Sequence, residues 1–250
     1  MQAHTLSILV PAYNEARTIA AVLKELVALE LPEGMGKEVI VVDDSSTDGT
    51  VRTVEEFIAD EGQGLVRLER QPMNRGKGAA IHRGIHSATG TLMVVQDADL
   101  ELDPNDLVAL LGPLLSGEAD VVYGHRFHNG PPYPGFPRGS YLANRFLTWL
   151  SNRLTGLDIG DMEVCYKLMP LEVARDLELR EERFGFEPEV TALLARRREL
   201  RWAEVPVRYR ARTAADGKKI GWRDGLRAIW CIVKYSRRGQ GRRSVLSKLE

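Results

Sequence analysis

The sequence predicts an α/β protein built on a largely parallel sheet. Three observations predict it. Strand-like and helix-like segments alternate through the first half of the chain, the strand-like runs are near-continuously apolar, and the first four of them end in unusual polar turns. Leu6–Val10 is apolar and β-branched, and Ile19, Val22, Leu23 and Leu26 follow at the i, i+3, i+4, i+7 spacing of a helix. Glu38–Val42 predicts a second strand, and Val51, Val54, Phe57 and Ile58 a second helix. Leu65–Leu68 is a shorter third strand, residues 76–88 a third helix, and Leu92–Val95 a fourth strand. Asp103 is placed to cap a helix whose first residue is Pro104, and Asp120–Tyr123 makes a fifth strand. This βαβα order predicts a sheet covered on both faces.

The second half is less regular. Residues 128–139 (HNGPPYPGFPRG) contain four Pro and three Gly and predict a loop. Helices are expected at 140–154 and 187–197. Residues 201–210 alternate Trp202, Val205, Val207 and Tyr209 with polar neighbours, as an edge strand would, with the register broken near Pro206. Residues 221–236 predict a final amphipathic helix. The pattern reads as a single domain over 1–236, with halves 1–126 and 127–236, and a basic tail over 237–250.

At 250 residues, 44% hydrophobic and 28% charged, the chain has the composition of an ordinary soluble globular protein. No apolar run approaches the ~18–20 residues that span a bilayer, and a strand-like run begins by Thr5 without a signal-like core, so secretion is not expected. Cys165 and Cys231 make no metal-spaced pair and read as reduced thiols of a cytoplasmic protein. The net charge of −1 hides a division. Residues 196–250 hold 17 Lys and Arg against 5 Asp and Glu, while the first 195 hold 17 against 30. A basic end on an acidic body points to a polyanionic partner: a membrane surface, phosphates or nucleic acid.

The polar turns carry the chemistry, because ligands of an open parallel sheet bind outside the carboxyl ends of its strands. Pro11-Ala12-Tyr13-Asn14-Glu15 follows the first strand, Asp43 to Thr50 (DDSSTDGT) the second, Asn74-Arg75-Gly76-Lys77-Gly78 the third, and Asp97-Ala98-Asp99 the fourth. Each has a structural excuse: Asn14 as a helix cap, Asp48-Gly49 as a turn, Gly76 and Gly78 as a tight bend. Together on one rim they are complementary. Tyr13 offers a face for base stacking. Asp44 can accept from a base N–H. The Gly-Lys-Gly turn lets backbone and a cation approach phosphates, and Arg126, after the fifth strand, adds a charge-assisted contact. Asp97 and Asp99, at i and i+2, would repel unless a cation sat between them. A hard divalent ion, Mg²⁺ or Mn²⁺, bridging to a nucleotide diphosphate, answers that need.

PAYNE, VVDDSSTDGT, NRGKGAAIHRG, QDADLE and GHRF, in this order and spacing, resemble the family 2 glycosyltransferases of GT-A fold, and within them the dolichyl-phosphate mannose synthase and polyprenyl-phosphate glycosyltransferase branch. The resemblance covers about residues 5–236. It implies that Pro11, Tyr13 and Glu15 with Asp44 frame the nucleoside, that Lys77 and Gly78 line the ribose and phosphate side, and that Asp97 and Ala98 lie beside the nucleotide. It implies a metal site of Asp97, Asp99 and Glu101. Gly160 to Lys167 (GDMEVCYK) matches an acceptor-side segment, and Arg212 with Lys218-Lys219-Ile220-Gly221-Trp222 a phosphate-gripping loop. Many members carry C-terminal transmembrane helices, and none is expected from the runs of these 250 residues.

The resemblance implies inverting transfer of a hexose from a GDP-mannose or UDP-glucose type of donor to a polyprenyl (dolichyl or undecaprenyl) phosphate, or to a hydroxyl of a cell-envelope glycan or glycolipid. Catalysis then falls to Asp99, Lys77, Arg126 and Arg212 as the electrostatic frame. A hydroxyl acceptor needs a base, Asp161 or Glu163. A lipid phosphate needs none and would be held by Arg126, Arg138 and Arg212. Glu187 and Glu189 either line the acceptor pocket or begin a helix, the second reading being favoured for Glu189.

Trp222, Leu226, Ile229, Trp230 and Val233 share roughly one helical face, and Arg223, Arg227, Lys234, Arg237, Arg238, Arg242 and Arg243 surround or follow it. Such a helix can lie in an anionic interface, which would make the protein cytoplasmic and peripheral to the membrane; or the tryptophans pack on the domain. A non-enzymatic membrane- or RNA-binding module accounts for the basic end alone and leaves Asp97, Asp99 and Lys77 unexplained; no nucleic-acid partner is expected. A dinucleotide-dependent dehydrogenase lacks its G-x-G-x-x-G turn, and a sugar-nucleotide pyrophosphorylase its Gly-rich, Arg-bearing one.

Overall fold

The structure, a computed structural model, describes residues 4–62, 64–131, 136–211 and 222–237. β1 (Thr5–Ala12) buries Leu6, Ile8, Leu9 and Val10, and β2 (Gly36–Asp43) buries Val39 to Val42. Runs that are apolar on both faces belong to strands covered on both faces, so these two lie inside the sheet. β3 (Val66–Arg70) is half-buried and stands at its edge, and β4 (Leu92–Val95) is buried throughout. Three helices connect them: α1 (Ile19–Ala28), α2 (Thr50–Asp60) and α3 (Lys77–Ser87). α1 buries Ile19, Val22, Leu23 and Leu26, the four residues whose spacing predicts it.

The remaining elements are α4 (Asp106–Leu115), β5 (Val121–His125), α5 (Arg138–Thr155), β6 (Lys167–Pro170), α6 (Leu171–Arg175), α7 (Phe186–Leu194), β7 (Trp202–Pro206) and α8 (Trp222–Arg237). The seven strands form one sheet in the order β3-β2-β1-β4-β6-β5-β7. The chain winds outward from β1 through β2 to β3, then crosses back to lay β4 on the other side of β1. That reversal between β1 and β4 opens a crevice at their carboxyl ends, where a parallel sheet binds its ligands. β7 pairs with β5 as the expected edge strand.

The expected largely parallel sheet is present, with one strand that no periodicity in its four residues announces: β6 runs antiparallel between β4 and β5. Two expectations are corrected. β1 extends through Pro11 and Ala12, which sequence places in the following turn. Gln96 N donates to Leu9 O, so Pro11, two residues on, faces the same way but lies past the last β4 residue in register, and its missing N–H costs no ladder bond. α4 begins at Asp106 rather than Pro104. Asp103 instead closes a turn, its Oδ1 accepting from Asn105 N at 2.9 Å and its carbonyl from Asp106 N.

Candidate active site

The rim of the crevice is assembled by its own side chains. Asn14, at φ 54°, donates its N–H to Ser46 Oγ (2.9 Å) and accepts from Thr47 N at 2.8 Å. Glu15 N donates to Thr50 Oγ1 (2.8 Å) and Ala16 N to Asp48 Oδ2 (3.2 Å). Much of the polar stretch after β2 therefore serves to hold the loop after β1, satisfying backbone donors that no strand or helix takes up. Asp44 is buried, and its carboxylate holds the next loop: Oδ1 accepts from Gln71 Nε2 and Arg75 N, Oδ2 from Asn74 Nδ2 and Gly76 N, all within 2.7–2.9 Å. Four protein donors thus occupy the two oxygens of Asp44, which also borders the cavity where a base N–H is expected to meet it.

Gly76 and Gly78 also have a different reason from phosphate approach. A Cβ on Gly78 would lie 2.1 Å from Glu181 O, and one on Gly76, at φ +109°, would lie 2.7 Å from Glu182 O. Both positions need glycine because residues 181–183 cross directly over the loop, where Ala79 N donates to Glu182 O. Gly76 still borders the cavity; Gly78 is buried and does not.

Lys77, the first residue of α3, extends to two carboxylates, Asp97 Oδ1 at 2.8 Å and Glu187 Oε1 at 2.9 Å. Burial opposes its charge, but Asp97 and then Glu187 outweigh that and hold the ammonium well above its ordinary value. Asp97, Ala98, Asp99 and Glu101 all line the cavity. Thr18 Oγ1 lies 2.9 Å from Ala98 O, tying the start of α1 to this turn. Among the described residues no three His, Cys, Asp or Glu side chains are gathered into a metal cage. Of the three carboxylates expected to hold an ion, Glu101 accepts from Tyr209 OH at 3.1 Å and Asp97 meets Lys77. Asp97 and Asp99 still present hard oxygen donors on one wall, the set that suits an ion completed by substrate phosphates.

Across the cavity, Arg126 forms a two-pronged pair with Asp161, Nε to Oδ2 at 2.7 Å and Nη2 to Oδ1 at 2.8 Å. Phe127 and Tyr209 flank the guanidinium with ring centroids 5.2 and 5.1 Å away. Asp161 is fully buried and does not border the cavity. Burial would raise its carboxyl, but Arg126 outweighs that and holds it below the usual range. Its reading as a general base is therefore corrected; it fixes Arg126. Glu163, two residues on, does border the cavity, and its Oε1 is buried without a hydrogen-bond partner. Burial, and then the charge of Glu187, push this carboxyl up to about 8. Behind it Lys167 is buried, donating to Met162 O (3.0 Å) and Val164 O, with Nζ 4.7 Å from the Tyr123 ring.

The cavity encloses about 1010 Å³. Pro11, Tyr13, Glu15, Asp44, Lys77, Asp97, Asp99, Arg126 and Glu163 all line it. Its lining also includes Phe136, Ala143, Phe146 and Leu147 before and on α5, and Leu226 and Ile229 on α8, with the polar Ser140, Asn144 and Asp224 among them. Glu187 borders it, whereas Glu189 accepts from Arg180 N and Glu181 N and supports the preceding loop. Arg212 and Lys218 lie outside the described residues. Sequence reasoning missed Asn144, which lines the cavity and lies 3.3 Å from Asp161 Oδ1, and Tyr209 as a partner of Glu101; a single Asn within an amphipathic helix carries no signal of its own.

The largely parallel sheet with its switch point is of the GT-A type, and Asp97, Asp99 and Lys77 lie at that crevice. The chain belongs to glycosyltransferase family 2, residues 7–177 matching the family described as Glycosyl transferase family 2. It is 28% identical over 192 residues to a dodecaprenyl-phosphate galacturonate synthase of Rhizobium johnstonii, covering 75% of this chain and 54% of that protein. Dolichyl-phosphate beta-glucosyltransferases of Dictyostelium discoideum and Drosophila melanogaster are 30% and 32% identical, each covering 86% of this chain, and 68% and 69% of their own lengths. The chain thus spans between about half and two thirds of these relatives. Among solved structures, glucosyl-3-phosphoglycerate synthase from Mycobacterium tuberculosis, in complex with Mn²⁺, UDP and phosphoglyceric acid, matches with TM-score 0.68 at 24% identity over 93% of this chain and 78% of that one. Mannosyl-3-phosphoglycerate synthase from Rubrobacter xylanophilus matches with TM-score 0.68 at 20% identity, over 99% and 77%. At these identities the structures establish the shared fold.

Proposed function

We propose that this glycosyltransferase moves a hexose from a UDP-sugar to a polyprenyl phosphate at an anionic membrane surface, with Mg²⁺ or Mn²⁺ and with inversion at the anomeric carbon. One observation carries the reading. The cavity is lined both by charged residues, where a nucleotide diphosphate would sit, and by apolar side chains of α5 and α8. Those two helices also expose Leu142, Phe146 and Trp149, and Leu226 and Trp230. Leu142, Phe146 and Trp149 follow one another at i, i+4, i+7, and so share a face. Arg227 and Lys234 lie over the Trp230 ring at 4.3 and 4.2 Å, placing cations beside the apolar surface, the arrangement that suits an anionic interface. The named activities of the relatives, on dodecaprenyl and dolichyl phosphates, support the acceptor, and UDP with Mn²⁺ or Mg²⁺ in the structural neighbours supports the donor and metal. Among the described residues no helix is long and apolar enough to cross a membrane, so attachment by the α5 and α8 faces is part of the proposal.

In this reading Pro11, Tyr13 and Glu15 wall the nucleoside, and Lys77 turns its ammonium from Asp97 toward the diphosphate. A divalent ion bound by Asp97 and Asp99 would neutralise negative charge on the leaving diphosphate. Arg126, its plane fixed by Asp161, presents positive charge to the same region. The acceptor phosphate is an anionic nucleophile at neutral pH and needs no base. A second reading, transfer to a hydroxyl, is favoured by Glu163, the one carboxyl of the pair that faces the cavity. The test is a product assay by mass spectrometry with UDP-glucose, UDP-galacturonate and GDP-mannose, Mn²⁺, and farnesyl phosphate or farnesol as acceptor. A glycosyl phosphodiester is expected, lost in Asp99→Ala; product from farnesol alone would refute the phosphate reading.

A further inference from the structure

Glu163 has a role to fill if the acceptor is a phosphate, because no base is then required. Its Oε1 is shut from water and lacks a partner, while the side chain borders the cavity. The described cations around it are committed elsewhere. Arg126, at the end of β5, gives Nε and Nη2 to Asp161. Lys167 of β6 gives Nζ to two carbonyls, and Lys77 of α3 bridges Asp97 and Glu187. The other groups facing it are acidic: Glu187 from α7 and Asp161 from its own loop. A carboxylate so placed has little to offset its charge, and two acids in one low-dielectric site do not both ionise.

We infer that Glu163 is a specificity-determining residue that meets the acceptor as the neutral acid and donates its O–H to an acceptor phosphate oxygen. The inference rests on the lipid-phosphate reading and adds to it a reason for discrimination. A neutral acid donates to a phosphate dianion, whereas a carboxylate at the same place repels it. A hydroxyl acceptor would call for the opposite state, a carboxylate able to accept a proton. Because the carboxyl is pushed up to about 8 while a phosphomonoester loses its second proton near pH 6, the two titrations are separated, and between pH 7 and 9 the phosphate stays dianionic while Glu163 ionises.

Calorimetry on the full chain with UDP and Mn²⁺, using farnesyl phosphate and farnesol as probes at pH 7 and pH 9, tests this. Wild-type affinity for farnesyl phosphate is expected to fall about tenfold across that interval, the loss set by one proton. Glu163→Gln keeps an N–H donor and cannot ionise, so its affinity stays flat, and at pH 9 it binds farnesyl phosphate more tightly than the wild type does. The same fall in both proteins would assign the titration to Lys167 or another group and overturn the inference alone. Binding of farnesol but not of farnesyl phosphate, at both pH values, would overturn the lipid-phosphate reading together with this one. A second readout needs no ligand: the infrared carbonyl band of a buried protonated carboxyl is expected at pH 7, bleaching towards pH 9. Its absence from the wild-type protein overturns the inference.

Discussion

Asp161 and Glu163 stand two positions apart on one loop, and their surroundings drive their carboxyls in opposite directions. Asp161 is fully buried against a guanidinium; Glu163 borders the cavity with Oε1 buried and unpartnered, and the charge of Glu187 acts on it. Removing the Asp161 charge leaves Arg126 unpaired in a site that water barely reaches, so Asp161→Asn is expected to cost about 3–5 kcal/mol in chemical denaturation. The linkage for Glu163 has the other sign. Its carboxyl ionises near 4.5 in an unfolded chain and near 8 in the folded one, so the folded state loses stability as pH rises through that window. Glu163→Gln is therefore expected to melt higher than the wild type at pH 8 and level with it at pH 4, a gain on the order of 2 kcal/mol; equal melting at pH 8 would show the carboxyl to be ordinary. Neither distinction is legible from GDMEVCYK. Both residues read there as candidate bases, because the pairing of Asp161 is made by a residue 35 positions away.

At the scale of elements, Glu181 ties α8 to the chain that covers the loop at Gly76 and Gly78. Glu181 accepts from Arg227 (2.6 Å), Lys234 (3.1 Å) and Tyr235 (2.7 Å) of α8, while the chain beside it, 181–183, covers Gly76 and Gly78. Burial would raise the Glu181 carboxyl, but these three donors outweigh it and bring it down to about 2. The contribution is therefore present above pH 4.5 and lost as pH falls toward 2, so Glu181→Gln is expected to cost about 1–3 kcal/mol at pH 7 and little near pH 2, measured by thermal melts. Gly78→Ala drives a methyl into Glu181 O and is expected to cost about 1–3 kcal/mol or more while leaving the cavity wall chemically intact. An unchanged Tm would mean that residues 181–183 move aside freely. The elements themselves were legible where periodicity was long, as in α1 and α8. β6 and α6 were not, being four and five residues long, too short to show a period.

For the whole molecule, the acidic first part of the chain and the described portion of the basic end meet at one cavity and through Glu181. The acidic first part supplies Asp97, Asp99 and Glu101 at the crevice, and the basic end supplies Arg227 and Lys234 beside the exposed Trp230. If α5 and α8 dock on a bilayer, Trp149→Ala with Trp230→Ala is expected to weaken co-sedimentation with anionic liposomes by roughly tenfold or more, since each buries a large apolar surface in the interface. Salt is expected to weaken the binding of both proteins. Because Trp149 is 58% and Trp230 46% exposed, the melting temperature should change little; equal sedimentation of variant and wild type would remove the docking face.

The sequence by itself determined the α/β class, the family and the rim, because strand runs and the turns that follow them are local in the chain and their chemistry is carried by residue type. Tertiary structure decided which of those residues face a ligand. It gave the Asp44 carboxylate four protein donors, turned Gly78 to architecture, withdrew Asp161 behind Arg126, left Glu163 in the cavity, and set α5 beside α8. Those outcomes depend on partners tens to more than a hundred residues away, and on desolvation, which is a property of the packed interior and of no single stretch of chain.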